Sequence, residues 1–262
     1  MRSDACSIEC IIPRRGVNDD GKGKKYALHK LISAASAEYV WLMDDDVLPA
    51  PRASLDRPLE VLAEGIDLLI LPLRMCSVNA RPNLIERLQI AEYAAIQQLT
   101  IESALRGHPV MCSGANLIVR RSRWLESYPD IHPGVPSGDD MFLLESFKRR
   151  GLVVSVIDDP DYTATVYAQA TLAALLRQRM RWAGKAPYYR DRDILLCGII
   201  VAGANILQIL CPLVIFIKFP LEYCLVRKRT SEVSFFTVLL LELIYPFYML
   251  LCLLGGLFRR RW

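Results

Sequence analysis

The stretch EYVWLMDDDVLPAP, residues 38–51, decides how the chain is read. Its largely apolar run from Tyr39 to Met43 has the aromatic and aliphatic content of a buried strand, and it ends abruptly in Asp44, Asp45 and Asp46. Three like charges at a strand end repel one another unless they are solvated or share a cation. On an extended segment Asp44 and Asp46 point one way and Asp45 the other, so the first and third make a facing pair. Hard divalent ions, Mg²⁺ or Mn²⁺, take oxygen ligands and bridge one or two carboxylates to substrate phosphates. The other reading is a solvated acidic turn, which Pro49 and Pro51 suit.

Outward from this stretch, strand and helix patterns alternate. Residues 7–12 read as a short strand, 24–37 as a helix with Ala27, Leu28, Leu31, Ile32 and Ala35 on one face, and 38–43 as a strand. A helix over 57–63, a strand over 67–73 and a long helix over 84–105 follow. Next come strands at 117–120 and 153–157, a helix at 140–150 between them, and a last amphipathic helix at 171–182. This alternation predicts an α/β fold with a mixed, mostly parallel sheet flanked by helices. In such sheets ligands collect at the carboxyl ends of strands, where the aspartates stand.

The charge balance separates two regions. Residues 1–193 carry 25 Lys/Arg and 25 Asp/Glu, whereas the remainder carries 7 and 3, so the net charge of +4 belongs to the tail. A basic nucleic-acid footprint is therefore not indicated, and nucleic acid is not an expected partner. The apolar runs 194–217 and 235–258 each reach the roughly 20 residues needed to cross a ~30 Å hydrocarbon core. They predict a membrane region over 191–262 with two spans, behind a catalytic domain over 1–190. Basic clusters at 227–229 and 259–261 flank the second run, so positive charge alone does not orient it. A re-entrant or interfacial hairpin is the alternative topology. The eight cysteines have no metal-ligand or disulfide-framework spacing, which suits free thiols in a reducing compartment.

Two further constellations carry chemistry. In PSGDDMFLLESFKRRG, residues 136–151, Asp139 and Asp140 stand behind Gly138 at a helix start. Ser137 or Asp139 can serve as an N-cap there, and the helix dipole favours acids in its first turn. A carboxylate at that junction can also act as a general base toward a hydroxyl. In LLRQRMRWAGK, residues 175–185, Gln178, Arg181 and Trp182 share one or two helical turns. Arg offers a donor fork for phosphate, and Trp a flat face for a sugar or base. A juxtamembrane helix with a basic side and an interfacial Trp would look the same. GKGKKYAL, residues 21–28, places Gly and Lys at a helix N-terminus without Walker spacing, and MCSGANLIVRR, residues 111–121, puts Gly114 and Asn116 in a turn entering a strand.

In order, these pieces are GKxxAL (23–28), DxD (Asp44, Asp46), a GAN turn (114–116), GDD (138–140) and QxxRW (178–182). The ordered set resembles the membrane-associated, inverting family 2 glycosyltransferases of GT-A-like, Rossmann-related fold, over most of residues 7–190. The resemblance implies a nucleotide-sugar donor, a lipid-linked or glycan acceptor and membrane lipid as partners, and polysaccharide biosynthesis as a setting. It also implies that Asp44 and Asp46 hold Mg²⁺ or Mn²⁺ and the donor diphosphate, and that Asp140 is the base. Lys24, Gly114, Asn116, Asp139, Gln178, Arg181 and Trp182 would line the donor and acceptor pocket. The catalytic domain would face the cytoplasm from the membrane. One departure stands out: SIECIIP, residues 7–13, leads almost directly into the GKxxAL segment. The chain thus resembles a family member lacking its N-terminal nucleotide-binding unit. Two other readings carry different tests: an inactive remnant or membrane-anchored binding module, and a metal-dependent phosphoryl transferase.

Overall fold

Every strand is four residues or fewer, and helices bury most of them. The computed structural model describes residues 23–51, 53–132, 135 and 138–258. The strand expected at 7–12, Ser137 and the basic cluster at 259–261 lie outside the described residues. The chain runs through α1 (Gly23–Ala34), β1 (Tyr39–Leu42), α2 (Asp56–Ala63), β2 (Leu68–Ile70), β3 (Leu73–Cys76) and α3 (Leu84–Leu105). It continues through β4 (Leu117–Arg120), α4 (Arg121–Ser127), α5 (Asp139–Arg149), β5 (Val154–Val156), β6 (Ala164–Tyr167) and α6 (Leu172–Ala183). Three apolar helices follow: α7 (Arg192–Leu210), α8 (Ile215–Arg229) and α9 (Phe235–Phe258).

Four strands pair in the order β1-β4-β2-β5. β1, β2 and β5 point the same way, and β4 runs against both of its neighbours. The sheet is mixed, as the alternation of elements predicts. Period-two alternation assigns its faces. Leu42, Leu68, Ile70, Leu117 and Val119 face one layer, packing with Ile32 of α1, Trp124 of α4 and Phe142 and Phe147 of α5. Tyr39, Trp41, Leu69 and Ile118 face the other, against Leu62 of α2 and Tyr162. Helices thus cover both faces, and β2 is apolar throughout.

The expected strand over 67–73 is in fact two. Pro72 lacks an N–H to continue the ladder, so the chain leaves the sheet after Ile70. It then pairs in parallel with β6, Leu73 opposite Ala164, a strand the periodicity did not reveal. The apolar run 194–217 is also not one helix. Cys211 is extended ahead of Pro212 (φ −134°), which ends α7 at Leu210 and lets α8 start in a new direction.

α3 ties the sheet to the apolar tail. Its start is closed by a capping box: Asn83 accepts from Glu86 N–H (2.9 Å) and Glu86 accepts from Asn83 N–H (2.8 Å). Ile90, Ala91, Ala94 and Ala95 of α3 share one core with Leu73, Met75, Val226, Val238 and Leu241. α9 also lies against α6: a Cβ on Gly256 would sit 2.7 Å from Gly184 N and 2.8 Å from Met180 O. The basic cluster at 227–229 is largely spent on the protein. Lys228 pairs with Glu102 (2.9 Å), and Arg229 forks onto Asp158 (2.6 and 2.9 Å). Its expected part in setting membrane orientation is accordingly reduced. Among the described residues, Arg192–Leu210 and Phe235–Leu257 are long and apolar enough to cross a membrane.

Candidate active site

Three chain segments converge beyond the end of β1. α1 brings Lys24, the segment after β1 brings Asp44, and the start of α5 brings Asp139 and Asp140. Lys24 Nζ lies 2.7 Å from Asp44 Oδ1 and 3.3 Å from Asp139 Oδ2. Burial alone would depress the Lys24 ammonium, but Asp139 and Asp44 outweigh it and hold it above the ordinary lysine range. The neighbouring Lys25 is turned inward. It donates to the carbonyls of Ile131 (2.6 Å) and His132 (3.0 Å), which anchors the loop before α5. Burial pulls Lys25 down to about 8, with Asp139 opposing.

The acidic triplet does not stay extended. Val47 N–H donates to the Asp44 carbonyl (3.2 Å), and Asp45 and Asp46 occupy the turn between them. The alternation that paired Asp44 with Asp46 and excluded Asp45 therefore does not apply. Asp44 is half-buried against Lys24, while Asp45 and Asp46 are exposed and make no hydrogen bond or ion pair among the described residues.

α5 begins at Asp139, with Gly138 as its N-cap in the left-handed region (φ 80°), so Asp139 is the first helical residue and not the cap. Glycine is required there twice over. A Cβ at Gly138 would strain the backbone and would meet Lys185 Cδ at 2.5 Å. The Asp140 carboxylate is aimed by two backbone donors, Met141 N–H (2.8 Å) and Gly114 N–H (3.3 Å). Burial and the adjacent Asp139 raise its pKa above the usual carboxylate range, and Lys185 and Lys24 oppose the rise. Gly114 lies against the acidic pair and Lys24. A Cβ there would come within 3.5 Å of Asp139 Oδ2 and 3.8 Å of Lys24 Nζ, both ordinary contacts.

Asn116 takes a different part from the ligand contact expected of it. It is 1% exposed, accepts from Trp41 Nε1 (2.9 Å) and donates to the carbonyls of Pro72 and Tyr162 (2.9 Å each). Its amide braces β1, the end of β2 and the approach to β6, leaving no reach into the cleft.

From α6, Arg181 is exposed and makes no hydrogen bond or ion pair among the described residues. Gln178 and Trp182 are half-buried and touch Arg179 between them: Gln178 Oε1 accepts from Arg179 Nη1 at 2.9 Å, and the Trp182 ring centroid lies 4.2 Å from Arg179 Cζ. Lys185, just past α6, is a residue the sequence reading missed. It is 8% exposed, lies across Gly138 and makes no hydrogen bond or ion pair among the described residues. Burial pushes its ammonium below the ordinary lysine range, with Asp140 and Asp139 resisting. The only signal for it was its place in RWAGK, a lysine immediately behind the motif helix.

The assembly is a strand-end carboxylate, a half-buried helix-start carboxylate with a raised pKa, and cations from α1 and the end of α6. It can neutralise an anionic ligand and accept a proton in one place. No curated protein matches the sequence. A family profile described as glycosyltransferase like family 2 matches residues 3–185, which span every residue of this cluster. With a mixed α/β core of this kind behind that match, the chain belongs to the family 2 glycosyltransferases.

Proposed function

We propose that this glycosyltransferase moves a sugar from a nucleotide-sugar donor to a lipid-linked or polysaccharide acceptor, with inversion, at a membrane surface facing the cytoplasm. The observation that carries the reading is the convergence of Asp44 and Asp139 on Lys24, with Asp140, next to Asp139, held by Gly114 N–H. Asp140 is the general base. Two backbone donors fix its carboxylate, and its raised pKa makes it a stronger proton acceptor than a solvated aspartate. It takes the acceptor hydroxyl proton while the acceptor oxygen bonds to the anomeric carbon. The carbon–oxygen bond to the donor breaks on the opposite face, and its electron pair leaves with the nucleoside diphosphate. Arg181, with its guanidinium unengaged among the described residues, and Lys24 neutralise that leaving group.

The donor set suits Mg²⁺ or Mn²⁺ held jointly with substrate. Among the described residues no group of three or more His, Cys, Asp or Glu side chains forms a metal cage. One or two carboxylates plus donor phosphates need no such cage, and Asp44 and Asp46 offer hard oxygens beside the cluster. Such an ion, when bound, supplies positive charge to the diphosphate. Asp44 would then exchange its contact with Lys24 for the ion, freeing the lysine for phosphate. Membranes carrying the chain, given a panel of nucleotide sugars and either metal, should transfer sugar. Asp140→Asn should lower the rate by about 10²–10⁴-fold. Unchanged transfer in that variant would remove Asp140 as the base, and nucleotide hydrolysis without sugar transfer would favour phosphoryl transfer instead.

A further inference from the structure

A buried ion pair links α6 to α3. Arg179 of α6 and Glu92 of α3 are each 6% exposed. The guanidinium meets the carboxylate through one edge, Nη2 to Oε2 at 2.7 Å and Nε to Oε2 and Oε1 at 3.2 and 3.4 Å. Its remaining nitrogen, Nη1, donates to Gln178 Oε1, and its flat face covers Trp182. One buried group thus grips both half-buried members of the QxxRW set. Tyr93, next to Glu92 on α3, is buried as well.

Stability alone does not account for this arrangement. Desolvating two charges offsets most of their attraction, and buried ion pairs replaced by apolar residues of like volume are often no less stable. What apolar residues cannot do is hold an amide and an indole ring together in a fixed orientation. Only a planar fork with several donors does that, and a lysine has no second edge to offer Gln178.

We propose that Glu92 and Arg179 are positioning residues, which orient Gln178 and Trp182 toward the bound sugar and acceptor. The assignment of Gln178 and Trp182 to that surface rests on the function proposed above; the grip on them rests on the geometry. The two are separable by experiment. In the full chain in detergent, Arg179→Lys, Arg179→Met and Glu92→Met/Arg179→Met are compared with the parent, each with its Trp182→Phe counterpart, so that the difference isolates Trp182 fluorescence. Acrylamide quenching of Trp182 should rise in all three, and the double variant should keep its thermal midpoint. Sugar transfer should show kcat reduced by about 10–100-fold in Arg179→Lys and in the double variant, as expected for misplaced contacts, with donor KM little changed. Unchanged quenching together with unchanged kcat in the double variant would overturn the proposal. So would a kcat loss that simply tracks the thermal midpoint. If the parent transfers no sugar, the proposed function fails, and the quenching comparison still decides whether this pair holds Trp182.

Discussion

Asp140 and Lys185 show how far apart in sequence a single titration can be set. The Asp140 carboxyl is raised first by burial and then by Asp139, while Lys185 and Lys24 pull it down. Replacing Lys185 by Met removes one of the lowering charges, so the Asp140 pKa rises further. The acid limb of the pH–rate profile, where transfer fails as the base becomes protonated, should therefore move to higher pH. A profile over several buffers checks the sign, and a shift to lower pH would contradict it. The acidic residues of this site were legible because DDD and GDD each mark an element boundary in a few letters. Lys185 and the Glu92–Arg179 pair were not. Glu92 and Arg179 are 87 residues apart in sequence and meet only because α3 and α6 both pack on α9, and neither position is unusual in its own local pattern. Asn116 was visible as a turn residue, but its commitment to Trp41, Pro72 and Tyr162 depends on three distant segments.

Among elements, long or strongly patterned ones were read closely. The helix expected at 84–105 and the strand at 117–120 match α3 and β4 at both ends. Short pieces governed by tertiary pairing were missed: β6 is four residues long, and β3 follows from the break at Pro72. The start of α8 was hidden at the end of the apolar run 194–217, whose continuity in composition concealed a break in backbone at Cys211. The contact between α9 and α6 makes a direct prediction. At Gly256 an added methyl group meets backbone atoms of α6 that cannot move aside, whereas Gly198 on α7 has nothing within 4 Å. Gly256→Ala should lose about 1–3 kcal/mol by overpacking. Gly198→Ala should be neutral or gain up to about 1 kcal/mol from helix propensity. Thermal unfolding of both variants in the same detergent tests the contrast, and sugar transfer should fall with the first alone.

For the whole molecule, the tail is not a passive anchor appended to a finished domain. α8 and α9 complete the core around α3, and Lys228 and Arg229 fasten the end of α8 to Glu102 and Asp158. The face of α7 tells a different story, with Ile199, Ile200, Leu207 and Leu210 all exposed. That surface matches hydrocarbon rather than water. Washing membranes with alkaline carbonate should leave the chain in the pellet, and release into the supernatant would count against membrane insertion. The division expected at residue 190 thus separates two compositions but not two independently packed bodies, since α3 serves both.

Because Gly255 and Gly256 seat against Met180 and Gly184, the helix bearing Gln178, Arg181 and Trp182 lacks one of its walls until α9 has been made. A ribosome translating this chain has already released Lys24, Asp44 and Asp140 by then. The nascent enzyme would hold its chemistry in an unfinished state throughout synthesis, and gain a settled motif helix only when the last apolar segment folds back onto it. Activity is in this way tied to correct folding of the tail onto α6.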